Sequence, residues 1–367
     1  MLDRQYRDEA LKLEPGSISS LPKSVGWESP ANIALVKYWG KKEEQKPINP
    51  SLSMTLSSTH TKTEVHYTRT RNDEGQRWFR FNGEENTAFT ERVTAYINRL
   101  QPYFPFLKHL DLYIDSWNTF PHSAGMASSA SSMSALALSI CTIEQRMKQE
   151  KSLGENFYRK ASFMARLGSG SASRSVYGNY VEWGNPEDGA NEYAQPLQGK
   201  IHERFNLLHD SVMITSARAK KVKSSQGHTK MDDHPYRKSR IEQAVKNLKK
   251  LQHAIASGDF NTFCEATEEE ALSLHGLMLS SRPGFTLLNE AAISIINEIR
   301  AFRESRGTPI TFTLDAGPNV HVIYPVENKE AIRDWIDQKL KAYCENGRMI
   351  HDFTGKGPEL LDRNRNG

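Results

Sequence analysis

Hydrophobic positions along this chain switch repeatedly between a period of two and a period of 3.6 residues, which predicts alternating strands and helices. Glu64 to Arg69 and Arg77 to Phe81 read as strands, the second closed by the turn pair Asn82-Gly83. Phe89, Val93, Ile97 and Leu100 trace one helical face, whereas Leu110, Leu112 and Ile114 alternate with polar neighbours as in a half-buried strand. A run rich in Ala, Leu, Ile and Met, about Ser128 to Met147, predicts a buried helix, and Glu155 to Leu167 predicts another. Further helices are predicted at about 236–256 (Ile241, Val245, Leu248 and Ile255 on one stripe), 259–275, 285–304 and 327–343, with two strands around Asp315 to Asn319. The first 20 or so residues read as a polar extension before the first apolar strand.

At 367 residues the chain exceeds one ordinary domain, so the alternation predicts a two-domain α/β (α+β) protein: a polar extension over 1–25, then domains over 26–205 and 206–367. The 15 Phe, 13 Tyr and 6 Trp are ample for a core and argue against disorder. No stretch approaches the roughly 18 apolar residues of a bilayer span, and the start has no apolar signal segment, so no membrane partner is expected. Cys141, Cys264 and Cys344 are odd in number and far apart, which disfavours a disulfide framework or a Cys-x-x-Cys metal site and suits a cytoplasmic protein. A net charge of +4 suits a small polyanion as well as any nucleic acid. The one marked charge run lies at 216–240, set around a Ser224-Ser-Gln-Gly turn; it includes Lys220, Lys221, Lys223 and Arg240 and is nearly free of aromatics, so base stacking has little support.

Pro121-His-Ser-Ala-Gly125-Met-Ala-Ser-Ser-Ala130 follows a predicted strand and opens the buried helix. Small residues there let the backbone wrap a phosphate chain, and the helix start offers unpaired N–H groups. A Ser/Ala-rich helix packed on a sheet would carry the same letters; the strand-loop-helix context favours phosphate. Neither G-x-x-x-x-G-K-[ST] nor G-x-G-x-x-G is present. The segment resembles the phosphate loop of the GHMP superfamily of small-molecule kinases.

Three more blocks occur around it in order: Asn32-Ile-Ala-Leu-Val-Lys37-Tyr-Trp-Gly-Lys41 with Asn49-Pro-Ser-Leu-Ser-Met-Thr-Leu56, Gly168-Ser-Gly-Ser-Ala-Ser-Arg174-Ser, and Asp315-Ala-Gly-Pro-Asn319. Together they resemble the diphosphomevalonate decarboxylase family, over residues from about 28 to 358. The resemblance implies a GHMP kinase-like fold with its active site in the inter-domain cleft, a cytoplasmic homodimer, and an ATP- and Mg²⁺-dependent reaction. In that reaction mevalonate 5-diphosphate is phosphorylated on its tertiary 3-hydroxyl and yields isopentenyl diphosphate, ADP, phosphate and CO₂.

The resemblance also implies roles. Asp315 would stand beside the 3-hydroxyl as base or orienting group, although an Asp before Ala-Gly-Pro-Asn also suits a turn. Arg174 would grip the substrate carboxylate with both prongs of its guanidinium, with a surface salt bridge as the commoner fate of an arginine. Lys37, in an apolar segment, would be costly to bury unpaired and would pair with Asp315. Ser123, Gly125, Ala127, Ser128 and Ser129 would bind ATP, Ser128 also serving Mg²⁺. Tyr38, Lys41, Ser169, Ser171, Ser225 and His228 would line the substrate, while Trp39 belongs to the core.

The sequence departs from the family pattern at His122, Pro50 and His228, and Ser225 leaves out an arginine that some relatives have there. His228 either donates to the 5-phosphate end, or marks a substrate with one phosphate, or is a solvated loop residue. A phosphomevalonate decarboxylase or a mevalonate 3-kinase is the alternative within the fold. A binder using the basic segment on nucleic acid or an acidic partner is the alternative outside it.

Overall fold

The computed structural model describes residues 2–10, 24–120, 128–150, 152–185, 191–217 and 224–361, with 224–226 described by backbone alone. Twelve strands and nine α-helices are present among them. The strands are β1 (Ser24–Val36), β2 (Ser51–Arg69), β3 (Arg77–Phe81), β4 (Glu84–Glu85), β5 (Leu110–Asn118), β6 (Tyr180–Trp183), β7 (Ala194–Pro196), β8 (Leu208–Met213), β9 (Thr311–Thr313), β10 (Val320–Pro325), β11 (Met349–Phe353) and β12 (Glu359–Leu361). The helices are α1 (Leu2–Asp8), α2 (Thr87–Leu100), α3 (Ser128–Met147), α4 (Glu155–Gly168), α5 (Ser224–Thr229), α6 (Arg237–Ser257), α7 (Phe260–Ser280), α8 (Glu290–Arg306) and α9 (Lys329–Trp335).

Eight strands form one sheet in the order β12-β1-β2-β5-β3-β4, with β6 on the near half of β2 and β7 beside it; the other four form β11-β8-β10-β9. All neighbours are antiparallel except β3 with β5. Beneath the larger sheet, Val65, Leu112 and Ile114 meet Ile97 of α2, Leu138 of α3 and Phe163 of α4 in one cluster. On its other face Ile33, Leu35 and Met54 meet Leu248 and Leu251 of α6 and Phe263 of α7. β1 is therefore covered on both sides, and its buried side chains do not alternate. The smaller sheet packs Phe312 and Val322 on Ile295 and Ile299 of α8 and Ile332 of α9. Each such side chain, fully buried, contributes about 1.5–3 kcal/mol.

The two sheets are stitched at a break in register. Pro30 of β1 pairs with His60 but Asn32 pairs with Thr55, so residues 56–59 of β2 bulge out of the ladder. Asp352 of β11 takes up their amides: its carboxylate accepts from Ser57 N–H (2.9 Å), Ser58 N–H (2.7 Å) and Thr59 N–H (2.7 Å).

Four expectations need correction. The N-terminal stretch is not merely polar, because residues 2–8 form α1 and bury Tyr6 edge-on against Phe163 at 5.2 Å. Ser224-Ser-Gln-Gly is no turn but the start of α5. The helix predicted from 285 begins at Glu290, since the Asn289 side chain caps it by accepting from Ala292 N–H. The predicted 327–343 helix is broken, with α9 passing into a π turn at Ile336–Leu340 and a 3₁₀ turn at Lys341–Tyr343.

Candidate functional site

The turn between β9 and β10 carries Asp315. Gly317 N–H donates to Asp315 O at 2.7 Å, and Asn319 Oδ1 accepts from Thr215 N–H (2.9 Å) and Ser216 N–H (3.1 Å), which pins the turn to the end of β8. The Asp315 carboxylate, 28% exposed, accepts from Lys37 Nζ at 3.1 Å. Lys37 is the first residue beyond β1, 1% exposed, and also donates to Ala34 O at 2.6 Å. Burial pushes its ammonium below the ordinary lysine value, and Asp315 pulls the other way.

The main chain of Lys37 is held from behind by an internal ion pair. Glu270 Oε2 accepts Lys37 N–H at 2.9 Å, and Lys37 O accepts from Arg240 Nη2 at 3.3 Å and Asn49 Nδ2 at 2.9 Å. Arg240 and Glu270 are themselves joined by two bonds, at 2.7 and 2.5 Å, and both side chains are essentially inaccessible. Neither was legible as a site residue. Arg240 sits at the end of a basic run, and Glu270 ends the triplet Glu268-Glu269-Glu270, patterns that ordinarily mark a solvated helix face.

Arg174 comes from the 3₁₀ turn Gly170–Val176 that follows α4. It is 2% exposed and donates to Ser51 Oγ at 2.7 Å and, from Nε and Nη2, to Asn32 Oδ1 at 3.4 Å. Asn32 is fixed in turn by its own bonds to Ser171 O (3.2 Å) and Ser175 Oγ (2.8 Å). Burial pushes the guanidinium down to about 10, opposed by the negative charge of Asp315 and by Tyr38. Arg174, Lys37 and Asp315 thus lie within one another's fields. A buried guanidinium hydrogen-bonded by neutral groups is well suited to a small carboxylate.

Next to this trio is a cationic, aromatic corner. Tyr38 packs against Trp183 (centroids 4.8 Å apart) and His228 (4.5 Å), and Trp39 lies against the other side of His228 at 4.8 Å. Trp39 is buried, as expected. The chain passes this point through Gly40 at φ 87°, a left-handed conformation that favours glycine, and a Cβ there would come within 2.3 Å of Ile48. Lys41 Nζ donates to Gln45 Oε1 at 2.9 Å, and Ser169 and Ser171 share a hydroxyl contact at 3.3 Å. Gly170 sits so close beneath Tyr38 that a Cβ would meet its hydroxyl at 2.7 Å.

His228 is not solvated. It is buried on α5 and accepts from Gly40 N–H through Nδ1 at 3.0 Å, so in its neutral form Nε2 carries the proton. Burial, with Lys41 and Arg174 nearby, pushes it down to about 3. Between that value and its ordinary 6.5 the unfolded chain binds a proton that the folded chain refuses, so stability is complete above about pH 6.5 and falls as pH drops toward 3. Urea unfolding from pH 7 to 4 is expected to show His228→Gln losing part of this slope, up to about 1.4 kcal/mol per pH unit.

Ser128 and Ser129 open α3, as expected, while Ser123, Gly125, Ala127 and His122 lie outside the described residues, as do Lys220, Lys221 and Lys223 and the Ser225 side chain. The two serines edge a pocket whose walls include Thr63, Phe79, Phe81, Phe89 and Met133. These walls were missed because their spacing reads simply as strand and helix core.

Residues 29–194 match the family described as diphosphomevalonate decarboxylase-like N-terminal domain, and residues 211–361 match the mevalonate 5-diphosphate decarboxylase C-terminal domain. The chain is 32% identical to the diphosphomevalonate decarboxylase of Saccharomyces cerevisiae over 83% of this chain and 78% of that one. Against the human diphosphomevalonate decarboxylase it is 30% identical over 84% and 78% of the two chains. The crystal structure of mevalonate diphosphate decarboxylase from Staphylococcus aureus superposes with a TM-score of 0.80 at 32% identity, over 93% of this chain and 98% of that chain. A further solved structure, a complex with MVAPP, AMPPCP and magnesium, gives 0.79 at 28% identity over 92% and 99%. With both halves of the chain matched and relatives aligned over most of their length, the chain belongs to the diphosphomevalonate decarboxylase family.

Proposed function

We propose that this protein catalyses the ATP-dependent decarboxylation of mevalonate 5-diphosphate to isopentenyl diphosphate, releasing ADP, phosphate and CO₂. The observation that carries the reading is the Asp315–Lys37 pair at 3.1 Å with the buried Arg174 guanidinium beside it. An acid facing a tertiary alcohol and a guanidinium on the neighbouring carboxylate are what phosphorylation at C3 followed by loss of C1 as CO₂ requires. A kinase that stops at phosphoryl transfer needs only the first. Asp315 orients the 3-hydroxyl and takes its proton, while Lys37 holds the carboxylate in place. Once that proton has passed from the part-exposed carboxyl to solvent, the restored Asp315 charge favours the positive charge that develops at C3 as the new phosphate departs. Arg174 fixes the carboxylate so that the electrons of the breaking C1–C2 bond enter the forming double bond.

At the other end, Lys41, the Nε2–H of His228, Tyr38, Ser169 and Ser171 face the 5-diphosphate in this reading. Ser128 and Ser129 serve the ATP phosphates, and the aromatic walls of the adjoining pocket accept the base. Among the described residues no group of three or more His, Cys, Asp or Glu could hold a metal ion. Ser128, with the nucleotide's own phosphates, would hold magnesium, which would neutralise charge on the transferred group.

The same reading divides the chain near residue 205, supported by the gap between the two family matches. It makes the protein a cytoplasmic homodimer; its three cysteines are buried and free, and no helix among the described residues is long and apolar enough to cross a membrane.

The test is incubation with ATP, Mg²⁺ and, separately, mevalonate, its 5-phosphate or its 5-diphosphate, recording ADP and CO₂ together. Matched release with the diphosphate is expected. ADP without CO₂ would identify a kinase, and matched release with the monophosphate alone would reassign the substrate. Arg174→Gln is expected to raise the substrate KM and lower kcat, about 10²-fold or more in kcat/KM, with the ATP KM nearly unchanged. Unaltered substrate kinetics would mean that the carboxylate is held elsewhere.

A further inference from the structure

The loop 41–47 that carries Lys41 is held in a conformation it would not keep alone. Glu44 and Gln45 are consecutive non-glycine residues at φ 54° and 63°, a region L-residues avoid. Within the loop, Lys42 N–H to Lys46 O (2.7 Å), Lys46 N–H to Glu43 O (3.2 Å), the Lys41 contact to Gln45 and an ion pair of Lys46 Nζ with Glu44 Oε2 (3.3 Å) oppose this tendency. The remaining support comes from outside. Tyr38 Oη donates to Gln45 O at 3.0 Å, and the fully buried Arg166 donates to Glu44 O.

One of these outside supports, Arg166, leads to Glu192, as does Lys46 within the loop. Arg166 Nε donates to Glu192 O at 2.7 Å, and Lys46 Nζ lies 3.6 Å from Glu192 Oε1. The other oxygen, Oε2, accepts from the Leu2 N–H of α1 at 2.9 Å. That helix is fastened independently of Glu192. Tyr6 inserts against Phe163 one turn before Arg166, Arg7 lies over the Tyr103 ring at 4.8 Å, and Asp3 is hydrogen-bonded to the Tyr103 hydroxyl. The Glu192 carboxylate therefore joins the N-terminal helix to the cation Lys46, while the main-chain carbonyl of the same residue accepts from Arg166.

We propose that Glu192, braced by the N-terminal helix, is a positioning residue that sets the 41–47 loop and with it Lys41 and Tyr38, so that a diphosphate group meets a ready-made site. Glu192 itself touches no substrate. The proposal rests on the reading of Lys41 and Tyr38 as the diphosphate end of the site. It gives the N-terminal extension a task in substrate affinity instead of leaving it as an appendage.

The experiment compares the full-length protein with Glu192→Gln and Tyr6→Ala, the second undocking α1 without touching the loop. Three quantities are read: hydrogen exchange across 41–47, KM for mevalonate 5-diphosphate and for ATP, and calorimetric affinity for inorganic diphosphate. Both variants are expected to exchange Lys42 and Lys46 amides about tenfold faster and to raise the KM for mevalonate 5-diphosphate about five- to tenfold, leaving kcat and the ATP KM within about twofold. Inorganic diphosphate should weaken in parallel. Unchanged exchange in both variants overturns the brace, and faster exchange with unchanged diphosphate affinity overturns its role in the site. A general fold defect would raise both KM values together and would also count against the proposal. Should the wild type turn over no mevalonate derivative, the functional reading falls, while exchange and diphosphate affinity still decide the brace.

Discussion

Replacing Asp315 by Asn is expected to abolish nearly all turnover, by about 10²- to 10⁴-fold, while ATP affinity stays close to that of the wild type. The amide keeps the shape of the carboxylate and can still accept from Lys37, so the turn fastened by Gly317 N–H and Asn319 should survive. What disappears is the negative charge. The variant can neither take the 3-hydroxyl proton nor favour positive charge at C3, and it leaves the buried Lys37 and Arg174 cations without the acid that opposes their deprotonation. Steady-state kinetics with calorimetric ATP binding checks this. A variant retaining a tenth of the wild-type rate would remove Asp315 from the chemistry.

Glu270→Ala is expected to be the most damaging change away from the reacting groups, costing about 3–5 kcal/mol in urea unfolding because it strands the buried Arg240 charge. The companion experiment separates stability from catalysis. Exchanging the pair for apolar residues, Glu270→Leu with Arg240→Met, should recover most of the lost stability, since well-packed apolar side chains often replace a buried ion pair without penalty. Activity should not return with it. Lys37 would lose the acceptor for its N–H and one donor to its carbonyl, and its ammonium would no longer be aimed at Asp315. A double variant both stable and fully active would show that β1 places Lys37 by itself.

Much of this was legible in the chain itself. Ser128 to Met147 and Glu155 to Leu167 show long, clean periodicity, and both appear as helices within a residue of the expected ends. The pairing of Lys37 with Asp315 was foreseeable because an ammonium in an apolar segment must find a counter-charge. Other features were hidden because they depend on residues far apart. Nothing in Glu192 announces that it will receive the backbone of Leu2, 190 positions away, and nothing in Glu270 distinguishes it from its exposed neighbour Glu269 until α6 and α7 come together. His228 reads as a loop histidine until Tyr38 and Trp39 close around it. Tertiary contact decided these three, and local pattern carries no record of it.

The path of the last strand bears on how the chain acquires its shape during synthesis. Residues 359–361 return to the first sheet and cover Gly26, Trp27 and Glu28 at the margin of β1. A ribosome must therefore pass codon 361 before that margin is shielded. Until then a growing polypeptide exposes unpaired amides and carbonyls on which a neighbouring copy can nucleate. A nonsense mutation just upstream of codon 359 would remove no group assigned to chemistry, yet its product should accumulate in inclusion bodies.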